Sequence, residues 1–240
     1  MAMNKAKGNM YPFVTHTWNP IRGRCKHDCE YCYIKRSGAM GWTHDTKLID
    51  KEISRKGGTQ LGEHNFIFIG SSTDMWGKWV QDRIIFDVLD YCGRFRYNKY
   101  LFQSKNPGRF KDFALMFPDK ANTYLCTTVE TNREKLTREI CSAPDPVNRV
   151  NDMAILKNHG FKITLTIEPI MDFDLEDMLT YIEILQPEWV SIGADSKGSD
   201  LVEPDGAKCR ELVDILQKMK IELKLKDNFK RILFNKGAKK

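Results

Sequence analysis

The sequence predicts an α/β protein built on parallel strands, and three observations carry that expectation. Short apolar or β-rich runs alternate with segments of helical apolar spacing, strand then helix, six times before a closing strand. Nearly every run ends in small or polar residues. The apolar share of 41% over 240 residues is enough for a sizeable core. Such alternation implies right-handed helical crossovers between parallel neighbours, and an open sheet and a barrel write the same string.

In chain order, residues 1–10 are small, polar and lysine-bearing and are expected to be disordered. Residues 13–18 alternate and are β-rich, a strand that Asn19-Pro20 breaks. A helix is expected from near Cys32 through Arg36, a loop over 37–46, and a weak helix over 47–55 ended by Gly57-Gly58. Residues 65–70 form a continuous apolar run, hence a buried strand. Residues 82–91 place Ile84, Ile85, Val88 and Leu89 at helical spacing. A strand follows over 99–103, and Asn106-Pro107 opens a helix with proline in its first turn. The remaining strands are expected over 122–129, 161–167, 189–192 and 221–225. Helices are expected over 148–158, capped by Gly160, and over 175–185 and 205–219. The folded unit is thus expected over 11–228, with 229–240 a basic tail.

No run reaches the ~18 apolar residues of a membrane span, and the first residues carry no apolar signal region, so a cytoplasmic protein is expected. Seven cysteines, three of them clustered, argue against a disulfide framework. Charge is uneven: +6 over residues 1–60, −8 over 121–219 and +6 over 220–240. Basic ends attract polyanions such as DNA, although Lys236, Lys239 and Lys240 read more simply as a solvated tail. In a partial barrel, Arg22, Arg24 and Lys26 would share a rim with Lys224, Lys226 and Lys230 across the open side.

The stretch that organises the chain is Arg24-Cys25-Lys26-His27-Asp28-Cys29-Glu30-Tyr31-Cys32-Tyr33. Its cysteines stand at C-x3-C-x2-C, close enough to share one metal centre. Cys29 and Cys32 alone would suit a zinc knuckle or a redox pair. A zinc site wants a fourth ligand nearby; His27 lies inside the loop, but the next cysteine is Cys92. Three thiolates suit a [4Fe–4S] cluster with one iron left for a cofactor to chelate. This spacing resembles that of the radical S-adenosylmethionine enzymes. Thr17-Trp18-Asn19-Pro20, Ile69-Gly70-Ser71, Ile167-Glu168-Pro169 and Trp189-Val190-Ser191-Ile192-Gly193 follow in an order similar to a phage-encoded branch of that superfamily, distantly similar to spore photoproduct lyase. Two features depart from that branch: the shorter gap between Cys25 and Cys29, and Ser104-Lys105-Asn106-Pro107 where many members have threonine-lysine-arginine-proline.

The resemblance implies a partial (β/α)6 barrel of the TIM type, with chemistry at the C-terminal strand ends. It implies cluster ligation by Cys25, Cys29 and Cys32 and binding of S-adenosylmethionine. Ser71-Ser72-Thr73-Asp74 stands where the superfamily places a glycine-glycine-glutamate acceptor for the cofactor amine. Thr128 and Glu130 are candidates for its ribose. Tyr31, Tyr33, Ile167 and the stretch Ile192-Gly193-Ala194 are candidates for the adenine side, with packing of the cluster loop an equal reading for the two tyrosines, and Asp195 is a further cofactor-binding candidate. Glu168, a carboxylate in an apolar strand, needs a partner or a ligand. Lys105 and Lys226 are candidates for anionic groups, and with Glu168 make up the expected catalytic set. Cys92, Cys126, Cys141 and Cys209 are isolated, with buried packing the default.

The expected function is reductive cleavage of S-adenosylmethionine to a 5′-deoxyadenosyl radical that abstracts hydrogen from a nucleobase, nucleotide or DNA substrate. A radical isomerisation or rearrangement of a hypermodified pyrimidine in phage DNA is the favoured sub-type, with flavodoxin or ferredoxin as electron donor. The alternatives are the same chemistry on a small metabolite or peptide, and a non-enzymatic zinc-binding nucleic-acid module.

Overall fold

A computed structural model describes residues 3–8, 10–37, 44–54 and 56–234. Its strands are β1 Asn4–Lys5, β2 His16–Trp18, β3 Ile21–Arg22, β4 Lys47–Leu48, β5 Phe66–Ile69, β6 Lys99–Ser104, β7 Thr123–Thr128, β8 Lys162–Ile167, β9 Val190–Ile192 and β10 Leu223–Leu225. Eight of them form one sheet in the order β1-β2-β5-β6-β7-β8-β9-β10. Every neighbouring pair from β2 to β10 is parallel, and only β1 runs antiparallel, to β2. β3 and β4 pair separately as a short antiparallel ribbon. This is the partial TIM-type barrel expected, with β1 and β10 at its two edges.

The helices are α1 Tyr33–Arg36, α2 Asp50–Ile53, α3 Asp82–Gly93, α4 Glu134–Ile140, α5 Pro146–Asn158, α6 Leu175–Leu185, α7 Gly206–Lys218 and α8 Lys230–Leu233. α3 shows why they pack: Ile85, Val88, Leu89 and Cys92 recur on one stripe and are all buried. They meet the outward residues of the sheet, among them Ile67, Ile69, Phe102, Leu125, Ile163, Leu165, Ile167, Val190 and Ile192. Each such side chain contributes about 1.5–3 kcal/mol by leaving water. Strand residues of the other parity face inward, because successive side chains alternate across a sheet. Phe68, Leu101, Tyr124, Cys126 and Trp189 form a second cluster there with Tyr11 and Val14. Tyr11 stacks on Phe13 at 5.3 Å, and Phe13 meets Trp189 edge-on at 4.8 Å. The chain before β2 therefore floors the barrel.

Several expectations are corrected. Asn4–Lys5, expected to be disordered, pairs with Thr17 and His16, and Ala6 continues the ladder to Thr15. Backbone hydrogen bonds suffice for a polar edge strand, so no apolar pattern announced it. The expected weak helix over 47–55 is β4 followed by α2. The helix opened by Pro107 is a 3-10 segment, Pro107–Phe113, and α4 was not foreseen. The tail expected from 229 begins inside the core: Phe229 is buried and Ile232 lies on α8 against the same cluster. Lys236, Lys239, Lys240 and part of the loop expected over 37–46 lie outside the described residues.

Candidate active site

The cysteine loop follows β3 and is held on three sides. Asp28 N donates to Cys25 O at 3.3 Å and Cys32 N to Cys29 O at 3.1 Å, two turns that set all three cysteines on one excursion. Gly23, at φ 129°, makes the entry possible, since a Cβ there would lie 2.5 Å from Thr46 Cα. From the far side, Glu30 N donates to Ile140 O and Ser142 N to His27 O. Below, buried His27 places Nε2 3.0 Å from Asp74 Oδ2 and its ring edge-on to Trp79. His27, the residue with which a zinc reading would begin, is thereby turned toward Asp74.

Asp74 anchors this arrangement. Its carboxylate accepts hydrogen bonds from Trp76 N at 2.9 Å, Ser104 Oγ at 2.9 Å and Lys105 N at 3.0 Å, besides its contact with His27. Burial pushes the carboxyl up, but His27 and the backbone donors outweigh it and hold Asp74 below the usual range. Its oxygens thus meet protein groups, so the geometry makes it a brace for the loop. The neighbouring expected acceptors divide. Ser71 Oγ exchanges with Asn19 at 3.2 Å, Ser71 O accepts from Tyr33 OH at 2.6 Å, and Ser72 N donates to Asn19 Oδ1. Thr73 is buried, and its hydroxyl has no partner among the described residues.

Two strands further round, past the end of β7, fully buried Glu130 accepts from Lys105 Nζ, from Tyr31 OH and, at 2.9 Å, from Arg149 Nη1. Burial pushes its carboxyl up; Lys105 and Arg149 overturn that and hold it far below the usual range. Arg149 is itself fully buried and also donates to Thr128 O and Pro144 O. It was not foreseen, although it precedes Met153 and Leu156 at helical spacing on the apolar stripe of α5. Thr128 Oγ1 accepts from Gln103 Nε2 at 3.1 Å, and Gln103 Oε1 accepts from Tyr11 OH at 3.0 Å. Gln103 and Tyr11 were likewise missed, because only the closing of the barrel brings residue 11 to residue 103.

Past the end of the next strand, β8, Glu168 Oε1 accepts from Lys226 Nζ at 2.8 Å. Burial dominates here and holds the Glu168 carboxyl above its usual range despite Lys226. Gly193 abuts that carboxyl: a Cβ on it would come within 2.9 Å of Glu168 Cδ. Lys226 Nζ also lies 4.8 Å from the centre of the Tyr11 ring. Two expected residues stand elsewhere. Ile167 faces outward into the helix-packed core, because it has the parity of Ile163 and Leu165. The Asp195 carboxylate closes its own loop onto Lys197 N at 2.9 Å and Ser199 Oγ at 3.2 Å. The shared basic rim does not form. Lys224 on β10 and Lys226 just past its end both face inward, with Lys224 against Phe13 and Trp189 in the floor and Lys226 at Glu168. Arg24 pairs with Asp28, and Lys230 with Asp227.

The donor set suits an iron–sulfur cluster: three thiols on one loop, two half-exposed and Cys29 buried. As the side chains stand, no group of three His, Cys, Asp or Glu among the described residues is arranged to hold a single metal ion. Burial and nearby Asp74 push the Cys25 thiol up to about 12. Contact with Cys141, together with burial, raises that of Cys29. Cys141 is therefore not isolated as expected; it is a buried fourth thiol against the loop, 3.8 Å from Arg149 Nη2.

No protein-family model matches the chain, and no curated protein matches it. Solved structures do. A spore photoproduct lyase variant with bound AdoMet and dinucleoside spore photoproduct aligns over 88% of this chain and 63% of its own, at 12% identity and a TM-score of 0.56. Another variant of that enzyme aligns over 90% and 77%, at 11% identity and 0.60. SuiB of Streptococcus suis bound to precursor peptide SuiA aligns over 90% and 48%, at 13% identity and 0.61. The chain thus spans under two thirds of the first of these lyase chains, and at these identities the likeness is one of fold. Among the described residues no helix is long and apolar enough to cross a membrane.

Proposed function

We propose that this protein is a radical S-adenosylmethionine enzyme acting on a nucleobase or nucleotide-type substrate. The observation that carries the reading is the three-cysteine loop just beyond the first parallel strand of a fold shared with AdoMet-bound enzymes. Cys25, Cys29 and Cys32 would hold a [4Fe–4S] cluster. When bound and reduced by a flavodoxin- or ferredoxin-type donor, it supplies cleavage of S-adenosylmethionine to methionine and a 5′-deoxyadenosyl radical that takes a hydrogen atom from an unactivated carbon. The chain's own residues position and enclose. His27 and Asp74 brace the loop from below. Lys105, Glu130 and Arg149 fix the β6 and β7 ends beside it, with Tyr31 bonded to Glu130. Of the Ser71-Ser72-Thr73 stretch, the Thr73 hydroxyl, which has no partner among the described residues, is the group proposed for the cofactor amine, and Thr128 is the candidate for its ribose.

The nucleotide side of the reading draws support from the dinucleoside bound by spore photoproduct lyase, with isomerisation of a modified pyrimidine as the favoured outcome. SuiB with its precursor peptide supports a second reading, a peptide substrate. Anaerobic reconstitution followed by iron, sulfide and zinc analysis tests the cluster; one zinc and no iron would sink the reading. Mass spectrometry of the reduced protein with S-adenosylmethionine and nucleosides, DNA or peptides then tells the substrate classes apart.

A further inference from the structure

Resting on the reading above, we infer that Glu168 and Lys226 read a ring N–H beside a carbonyl, the imide or lactam edge of a nucleobase. The argument starts from which acceptors the inner wall leaves open. Asp74 and Glu130 are engaged by protein donors. Gln103 has its oxygen bonded to Tyr11 and its nitrogen to Thr128. Glu168 differs: Oε1 accepts from Lys226 at 2.8 Å, and no described residue donates to Oε2. Its side chain is 18% exposed where that of Glu130 is 0%. Gly193 keeps the space beside it clear, since any larger residue would strike the carboxyl.

A ligand meeting Glu168 must therefore bring a donor. The atom next to that donor falls beside the Lys226 ammonium, where a carbonyl oxygen is favoured and an amino group is repelled. Tyr11 closes the floor beneath with an aromatic face already turned toward Lys226. Thymine, uracil and guanine carry a ring N–H next to a C=O. Cytosine and adenine present an unprotonated ring nitrogen instead, so they reach Glu168 only through an exocyclic amino N–H and bring no carbonyl beside that donor.

The test is equilibrium dialysis of the reconstituted full chain, with S-adenosylmethionine present, against thymidine, N3-methylthymidine and deoxycytidine. Thymidine should bind about tenfold or more tightly than N3-methylthymidine, the scale of one hydrogen bond to a charged group, and more tightly than deoxycytidine, which brings an amino N–H without the adjoining carbonyl. In Glu168→Ala that preference should collapse while iron content holds. Equal binding of thymidine and N3-methylthymidine by the unaltered protein overturns the inference, as does no nucleoside binding at all. Neither comparison needs a variant, so misfolding of Glu168→Ala leaves the test intact. Formation of 5′-deoxyadenosine without nucleoside is scored in parallel. Its absence sinks the underlying reading; its presence with equal binding sinks this inference alone.

Discussion

Glu130 and Glu168 stand just past the ends of neighbouring parallel strands, β7 and β8, and both are largely removed from water. Glu130 meets three donors, two of them cations, and its carboxyl is driven down. Glu168 meets Lys226 through one oxygen, and burial keeps its carboxyl up. The carboxylates under the cysteine loop are engaged by the protein's own donors, whereas Glu168 keeps one oxygen to which no described residue donates. A buried charge surrounded by protein partners organises structure; one with a single partner and an open oxygen is placed to meet something else.

That contrast can be broken at several points. The largest effect is expected in the loop that the engaged carboxylates support: Cys29→Ala should lose iron and all cleavage of S-adenosylmethionine, whereas Cys92→Ala and Cys209→Ala keep both, as iron assay and product analysis would show. Next comes Glu130→Ala. It strands fully buried Arg149 without its counter-charge and should cost about 3–5 kcal/mol in urea unfolding. Glu168→Ala should cost less, about 1–2 kcal/mol, because the pair it breaks is partly solvated. Equal losses would erase the distinction between the two carboxylates.

Acid sharpens it, since the shifts have opposite signs. Glu130 has a folded pKa below its ordinary 4.5, so the stability it contributes is present above that value and fades as pH falls below it. Glu168 has a raised folded pKa, so its ionisation weakens the fold as pH rises above 4.5, and acid relieves that cost. Glu130→Gln should flatten the loss of stability in acid, and Glu168→Gln should steepen it. Unfolding midpoints measured from pH 6 downward, roughly one unit at a time, decide this; parallel curves for the two variants would contradict it. The smallest effect is expected from Gly193→Ala. Its Cβ displaces the Glu168 carboxyl and should change stability by less than about 1 kcal/mol while weakening substrate binding. Unchanged substrate affinity would mean that the carboxyl can shift freely.

The α/β class with parallel strands was legible from alternation alone, because a buried parallel strand and an amphipathic helix each impose a period on the residues that form them, whereas the choice of a partial barrel over an open sheet came from the resemblance. The three cysteines were legible because their spacing is local. Ile167 was a candidate by resemblance alone, and strand parity turns it outward while Glu168 faces in. Lys224 and Lys226 turn the other way: both face inward, so neither decorates an outer rim. Cys141 looked isolated at 109 residues beyond Cys32, and the fold sets it against Cys29.

By itself the sequence determined the order of the strands along the chain, the cysteine loop and the polar character of the strand ends, each a property of neighbours in the chain. Which carboxylate meets which cation was decided only by the tertiary structure. Glu130 and Glu168 are both acids at the end of an apolar strand, and nothing local separates them. Arg149 arrives from a helix 19 residues on to saturate the first, and Lys226 from a strand end 58 residues on to meet one oxygen of the second. Partners so far apart are chosen by the packing of the sheet and its helices, because burial makes an unpaired charge too costly to leave wherever the chain happens to bring it.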